Sequence, residues 1–304
     1  MRRILLATSL VWGAATAAAA PVVDGTLDAE YGPALAVQTV QTSFVSSKLD
    51  ASYGIVTGGK LYLMITGNLD PNFSNIEIFL DTKAGGQTIY AGPDDPQFNK
   101  LNGLQFDPNF AVDYHLCVRR GDDMGNPSFD LHFIDLEAST ISDHLDVLGG
   151  LEGSGLTGVG VNAHPIAVAF DNSNVLGVGD DAPLAPVPLD AGLSATTGLE
   201  LAIDLDDLGF TGGPIRVLVG LNATNHDFWS NQFLPGINSL KKSLGVDGNG
   251  TYNGTGALDL RPELLGGGFS SIVPDSRVVP EPQAVALAIV ALLAITRLKP
   301  RREV

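Results

Sequence analysis

The stretch Phe110-Ala-Val-Asp-Tyr-His-Leu-Cys-Val-Arg119 decides the fold class, because it has the clearest alternation of apolar and polar side chains in the chain. One face of this segment carries Phe110, Val112, Tyr114, Leu116 and Val118. The other face carries Ala111, Asp113, His115, Cys117 and Arg119. Successive side chains of a β-strand point to opposite sides, so the period of two predicts a strand with one buried face.

Similar apolar segments on both sides of this stretch predict a chain built mainly from strands. They are 60–66, 76–81, 129–133, 166–170, 199–205 and 215–221. The Asp122-Asp123 turn predicts a hairpin between the central stretch and the strand that contains Phe129. No apolar period of 3.6 persists over three turns between the two ends of the chain. The pattern therefore predicts an all-β, antiparallel two-sheet β-sandwich with short helical turns near 206–209 and 237–242.

Four regions are predicted along the chain. Residues 1–20 form a signal peptide, 21–265 a single sandwich domain, 266–277 a Gly/Ser tether and 278–304 a C-terminal tail. A body of about 260 residues also suffices for two small domains. The alternative is therefore a split near the glycine-rich segment 149–160, which is predicted to be an exposed loop.

The N-terminus has the layout of a secretory signal helix. Arg2 and Arg3 precede an apolar stretch over 4–12 and a run of small residues over 14–20. This order predicts export, with cleavage near Ala18 or Ala19. An uncleaved membrane anchor is the alternative.

The C-terminal tail combines a short motif, an apolar run and a basic end. The motif is Val279-Pro280-Glu281-Pro282, the apolar run spans 284–295, and the basic residues are Arg297, Lys299, Arg301 and Arg302. The three parts together resemble the PEP-CTERM signal of bacterial exosortase substrates. The resemblance implies an exosortase-type sorting enzyme as partner, transient insertion of a short transmembrane helix in the inner membrane, and a final location in the cell envelope or outside the cell. The run is shorter than the roughly 20 residues of a regular bilayer span.

The exported region is strongly acidic. Six of the 17 Lys and Arg, but of the 34 Asp and Glu only Glu303, lie outside residues 21–282, so this region carries 11 basic and 33 acidic residues and a net charge of −22. Such a surface repels nucleic acid and favours cations or neutral partners, although solubility alone also explains it. Cys117 is the single cysteine, so an internal disulfide is excluded, and a packed thiol is expected.

The first third of the body carries a second resemblance. Val23-Asp24-Gly25, followed by acidic residues and Tyr31, the strand 60–66 and the segment 78–82, resembles the start of family 9 carbohydrate-binding modules and their DOMON-like relatives. It covers residues 22–82 and departs from the family at Tyr31, where tryptophan is usual. The resemblance implies a jelly-roll-like sandwich with structural calcium that binds sugar ends between aromatic rings. No sugar-binding aromatic residue can be carried over from it.

Sequence motifs for catalysis are absent, so the chain is predicted not to be an enzyme. It has no G-x-S-x-G, H-E-x-x-H or complete G-x-x-x-x-G-K-[ST] segment. Asp206 and Asp207, with a distant carboxylate, leave a glycan-active hydrolase as the least favoured alternative. Asp113, His115 and Cys117 share a strand face and come nearest to a metal site. Two further ligands would have to come from elsewhere, and a half-buried polar strand face is the expected interpretation.

Acidic turns are better candidates for calcium, which prefers oxygen ligands from carboxylates, amides and carbonyls. The segment 247–253 places oxygen-bearing side chains at Asp247, Asn249 and Asn253. The turns 171–174 and 24–30 are alternatives. Plain solvated turns are the competing interpretation for all three.

A sugar-binding platform requires exposed aromatic rings, and Trp229 is the only tryptophan after the signal peptide. The polar neighbours that could bind sugar hydroxyl groups are Asn225, Asp227 and Asn231. A tryptophan in the sandwich core is the alternative, and Tyr31 and Tyr252 are weaker candidates of the same kind. The expected function is therefore a non-catalytic surface module that binds extracellular polysaccharide. A purely structural envelope or biofilm matrix protein is the alternative.

Overall fold

A computed structural model describes residues 19–42, 44, 46–180, 184–237, 239–240, 244, 254–261 and 268–274. Thirteen strands lie in these residues: β1 Ala36–Val37, β2 Lys48–Thr57, β3 Lys60–Asn68, β4 Asn72–Asp81, β5 Tyr114–Asp123, β6 Asn126–Asp135, β7 Thr140–His144, β8 Gly153–Leu156, β9 Ala167–Phe170, β10 Gly198–Asp204, β11 Ile215–Asn222, β12 Trp229–Leu234 and β13 Ser270–Ile272. The helical elements among them are short: the 3₁₀ turns Ala29–Tyr31 and Phe98–Leu101 and the helix α1, Leu189–Leu193.

The strands form two antiparallel sheets, which confirms the predicted all-β sandwich. The first sheet has the order β1-β2-β3-β10-β9-β8. The second has the order β12-β11-β4-β5-β6-β7, and β13 also pairs with β11. The predicted hairpin is β5–β6, in which Asp123 pairs with Asn126 around the turn.

The main core lies between the two sheets. Side chains at every second position of β5, namely Tyr114, Leu116 and Val118, point into it, as the alternation predicts. The same core receives residues from Leu49 in β2 to Ile272 in β13. Strands on both sides of segment 149–160 therefore contribute to one core.

The outer face of the second sheet is also buried, which corrects the prediction of one buried and one polar face. Segments 87–112 and 254–260, here called the aromatic cover, pack on this face around Phe79 and Trp229. His115 and Cys117 lie beneath the cover and are fully buried. Phe110 and Val112 belong to this second cluster rather than to the main core, because β5 begins only at Tyr114.

Three further predictions are corrected by the structure. Residues 270–272 of the predicted tether form β13, in which Ile272 pairs with Ile215 of β11, so ordered structure extends past residue 265. The predicted loop 149–160 contains the edge strand β8. Residues 206–209 form a turn and not a helix.

Several predictions fall outside the described residues. They are the signal helix, the sorting motif with its basic residues and membrane helix, and half of segment 237–242, namely residues 238, 241 and 242. Within the part of the chain that the structure describes, no helix has the length and apolar character to cross a membrane.

Candidate functional site

A polar cleft of about 360 Å³ opens at one end of the first sheet. β2 begins, β3 ends and β9 ends at this end of the sheet, so three loops converge there. The lining residues are Thr42, Ser46, Lys48, Asn68, Asp70, Asn172, Asn174, Val175, Gly177, Val178, Gly179 and Asp180. Hydroxyl, amide and carboxylate groups predominate among their side chains.

A β-bulge in β2 shapes the inner wall of the cleft. Leu49 pairs with Gly67 and Ala51 pairs with Thr66, so Asp50 is the extra residue between them. A bulge redirects the side chain of its strand. The carboxylate of Asp50 accepts hydrogen bonds from the backbone N–H of Val178 (2.6 Å) and from Nδ2 of Asn174 (3.1 Å). The bulge thereby attaches the loop after β9 to β2.

Asparagine side chains hold the same loop against β3. Nδ2 of Asn68 donates to the carbonyl oxygens of Asn172 (2.9 Å) and Asn174 (3.1 Å). In return, Oδ1 of Asn172 accepts from the backbone N–H of Leu69 at 2.9 Å. These bonds fix the backbone of the loop, so the cleft is preformed rather than built by a freely moving segment.

Gly177 is required where the loop meets Asp50. Its φ of 99° favours glycine, and a Cβ atom there would lie 2.0 Å from Oδ1 of Asp50. Any side chain at this position would push the loop away from β2.

β12 holds the chain segment that leads into the cleft at Thr42. Nδ2 of Asn231 donates to the carbonyl oxygen of Gln41 (2.9 Å), and Nε2 of Gln232 donates to that of Val40 (3.3 Å). The ring of Phe228 stacks on Phe44 with a centroid distance of 6.3 Å. Phe44 lies between the lining residues Thr42 and Ser46 in the chain. The predicted polar stretch 225–231 therefore packs against the segment that contains these lining residues.

Burial raises the pKa of Asp50 from 3.8 to about 7, although Lys48 and the bonds from Val178 and Asn174 oppose the shift. Burial also raises the pKa of Asp70, and Arg120 opposes this change. Two carboxyl groups of this end of the sheet are therefore easier to protonate than an exposed aspartate.

The structure corrects the prediction that Trp229 offers an exposed ring. Trp229 is 0% exposed, its ring lies 5.2 Å from that of Phe233, and Nε1 donates to the carbonyl oxygen of Gly256 at 2.9 Å. It is a core residue beneath the aromatic cover. Asn231 and Asp227 are also buried, and only Asn225 of the predicted set is exposed.

The other predicted residues lie in different places. Tyr31 is buried and donates its hydroxyl hydrogen to Glu200 (2.8 Å), while the backbone N–H groups of Asp24 and Gly25 donate to the same carboxylate. The turn 171–174 lines the cleft. Asp247, Asn249, Asn253 and Tyr252 lie outside the described residues.

Asp207, one of the acid pair considered for a hydrolase, is bonded to the loop before β9. The carboxylate oxygens of Asp207 accept from the backbone N–H groups of Ala163 (2.7 Å) and His164 (3.1 Å). Asp207 thereby fixes the loop before β9, which is a structural role.

A second polar group lies beneath the aromatic cover and is called the Glu77 cluster: Glu77, Tyr90, His115, Cys117 and His226. Nε2 of His115 lies 2.8 Å from Oε2 of Glu77, and Nδ1 of His226 lies 2.6 Å from Oε1. The hydroxyl of Tyr90 lies 2.9 Å from Nδ1 of His115. Every member is buried.

The protonation states in the Glu77 cluster follow from burial and mutual contact. Burial raises the pKa of Glu77, but the contacts with His226 and His115 outweigh it and leave the pKa below its ordinary value. Burial lowers the pKa of His115 against the opposing effect of Glu77. Burial and Glu77 together raise the pKa of Cys117. The carboxylate is therefore the acceptor of the cluster.

Sequence patterns indicate only part of these two sites. The turn 171–174 and the polar stretch 225–231 are visible as turn formers, but Lys48, Asp50 and Gly177 belong to segments without any motif. No family model, curated protein or solved structure matches the chain. The sites are therefore defined by their geometry.

Proposed function

We propose that this chain is an exported, non-catalytic surface protein that binds extracellular polysaccharide in the cleft. On this proposal the C-terminal tail directs sorting through an exosortase-type enzyme, and the sandwich remains at the cell envelope or outside the cell. The observation that carries the binding proposal is the convergence of amide, carboxylate and hydroxyl side chains in one preformed cleft.

The chemistry of the cleft supports a neutral, hydroxyl-rich ligand. Carboxylates accept hydrogen bonds, and amides and hydroxyls both donate and accept them, which suits sugar hydroxyl groups. A volume of about 360 Å³ lies at the small end of the range for ligand pockets, so one sugar unit or chain end is the appropriate size. Val175, which is 89% exposed, adds apolar surface at the rim for the C–H face of a sugar ring.

The charge of the protein supports the same ligand class. The negative net charge of the exported region repels polyanions. Neutral sugar chains are not repelled by this charge. The basic residue of the lining is Lys48, and its Nζ donates to the carbonyl oxygen of Leu176.

Binding of the full-length chain to a glycan array, followed by calorimetry with any glycan retained, tests the proposal. Asp180→Ala removes an exposed carboxylate from the cleft, and we expect it to weaken binding about tenfold, as loss of one hydrogen bond to a charged group does. Asp190→Ala removes an exposed carboxylate from α1 and is the matched control.

Two results would contradict the binding proposal. Absence of binding to every glycan would favour the structural matrix alternative, and equal losses for Asp180→Ala and Asp190→Ala would place the ligand elsewhere. Sorting is tested separately by mass spectrometry of the exported protein. A processed tail should lack residues 297–304, whereas their retention would make the tail a plain anchor.

A further inference from the structure

We propose that Glu77, Cys117 and His226 bind a single Zn²⁺ ion beneath the aromatic cover, with His115 and Tyr90 orienting the carboxylate. The ligand atoms of the three residues all lie within 4.8 Å of one another. Tetrahedral zinc with bonds of 2.0–2.3 Å separates its ligand atoms by about 3.4–3.8 Å. Small side-chain movements therefore bring the three atoms to bonding distance of one ion.

The strands place these ligands together. Glu77 of β4 and Cys117 of β5 are directly paired, so their side chains lie side by side on the outer face of the second sheet. His226 lies in the turn between β11 and β12 and has a φ of 58°. A non-glycine residue adopts this conformation at an energetic cost, and such residues concentrate at functional sites.

The types of ligand select the ion. Thiolate and imidazole bind zinc well, and carboxylate is a regular third ligand. Calcium and magnesium prefer sites made of oxygen atoms, which a cysteine and a histidine do not provide. Binding would release the proton of the Cys117 thiol, and His226 would bind as a neutral imidazole.

The surroundings have the form of an outer ligand shell. Metal-binding carboxylates are usually hydrogen-bonded by further side chains. Here Oε2 of Glu77 is bonded by His115, and His115 by Tyr90 of the cover. Asn75 adds a polar group: its Nδ2 lies 3.4 Å from Nδ1 of His226, while its buried Oδ1 has no hydrogen-bond partner among the described residues.

The position of the cluster gives the ion a structural role. The ring of Phe98 closes the cluster from the cover, with centroid distances of 4.8 Å to His226 and 5.5 Å to His115. An ion here would fasten together β4, β5 and the β11–β12 turn under this cover. A chain with one cysteine has no internal disulfide for this purpose.

Cobalt substitution and metal analysis test the proposal. The full-length chain is produced with added zinc, its metal content is measured, and the zinc is then replaced by Co²⁺. We expect about one zinc per chain and a thiolate-to-cobalt charge-transfer band. Because Cys117 is the single cysteine of the chain, this band identifies the ligand even if variants fail to fold.

Variants then locate the site. Cys117→Ser should lose the band and most of the zinc, and His226→Gln should lose most of the zinc. His164→Gln, a change of an exposed histidine, should retain both and is the control. A folded wild-type chain without zinc and without a cobalt band would overturn the proposal, as would equal zinc content in wild type and folded Cys117→Ser.

Discussion

The cleft and the Glu77 cluster are both polar, but one is open to solvent and the other is sealed. The cleft is built by three loops at the end of the first sheet, and its carboxylates and amides line an accessible space. The Glu77 cluster stands on regular strand positions of the second sheet, and aromatic residues exclude water from it. The covering segments, and not the polar side chains themselves, therefore decide which of the two sites is open to a ligand in solution.

The two regions should therefore respond differently to substitution. Changes beneath the cover remove packing or leave buried polar groups without partners, so they should mainly reduce stability. Changes in the cleft should mainly reduce binding. The following four predictions test this difference, starting with the largest expected effect.

Trp229→Ala should lower the free energy of unfolding by about 4 kcal/mol, because it leaves a cavity in the aromatic cluster. Met124→Ala, at a position that is 97% exposed, should change it by less than about 0.5 kcal/mol. Urea unfolding of both variants measures the difference. Glycan binding by the folded fraction of Trp229→Ala should be unchanged. If the folded variant lost glycan binding, Trp229 would belong to the ligand-binding site after all.

Glu77→Gln should lower the free energy of unfolding by about 3 kcal/mol, because the buried donors of His115 and His226 lose a charged acceptor. Glu137→Gln is the matched control, since Glu137 forms an exposed ion pair with Lys83 and its loss should change the stability far less. Urea unfolding checks both expectations. Equal effects of the two variants would show that the cluster is not sealed.

The bulge residue Asp50 should make the cleft sensitive to pH. Its pKa is about 7 in the folded chain and near its ordinary value of 3.8 in the unfolded chain, so the folded chain binds the extra proton between these values. The contribution of the protonated Asp50 carboxyl group to the stability of the fold is fully present below about pH 4 and is lost as the pH rises through about 7.

Unfolding measured from pH 4 to pH 8 in wild type and Asp50→Asn isolates this contribution, since asparagine does not titrate. We expect the wild type to lose stability relative to the variant as the pH rises from 4 towards 7, and the difference to level off above pH 7. If the stability of the wild type and of Asp50→Asn changed with pH in the same way, Asp50 would be ionised over the whole range from pH 4 to pH 8.

Gly177→Ala should reduce stability by about 1 kcal/mol more than Gly212→Ala does. Both glycines have positive φ values, 99° and 122°, but only a Cβ at position 177 meets a neighbour, Asp50. The Gly177 variant should also weaken glycan binding, whereas the Gly212 variant should not. Equal glycan binding by both variants would show that the loop around Gly177 is not part of the ligand-binding site.

The sequence predicts the sandwich because the alternation in β5 and β6 follows directly from the geometry of strands. It does not reveal the aromatic cover, since Phe110 and Val112 continue the alternation in phase although they belong to the covering segment. For the same reason His115 and Cys117 are predicted on a half-buried face but are fully buried.

The cleft is harder to predict because its parts are distant in the chain. The bulge at Asp50 depends on how β2 pairs with β3, which no local pattern records. β12 escapes detection because the run Ser230-Asn231-Gln232 is polar, and its amides turn out to bind the backbone of Val40 and Gln41. The prediction that Trp229 is exposed is wrong because its neighbours in the sequence are polar although its ring is buried.

Hydrogen–deuterium exchange of the full-length chain, with and without the glycan retained by the array, shows whether the cleft binds the glycan. We expect the ligand to slow exchange in the cleft segments 42–48 and 172–180, whereas exchange in β5 and beneath the aromatic cover should stay the same. Protection confined to other segments, or no protection by any bound glycan, would contradict the assignment of the cleft as the polysaccharide-binding site.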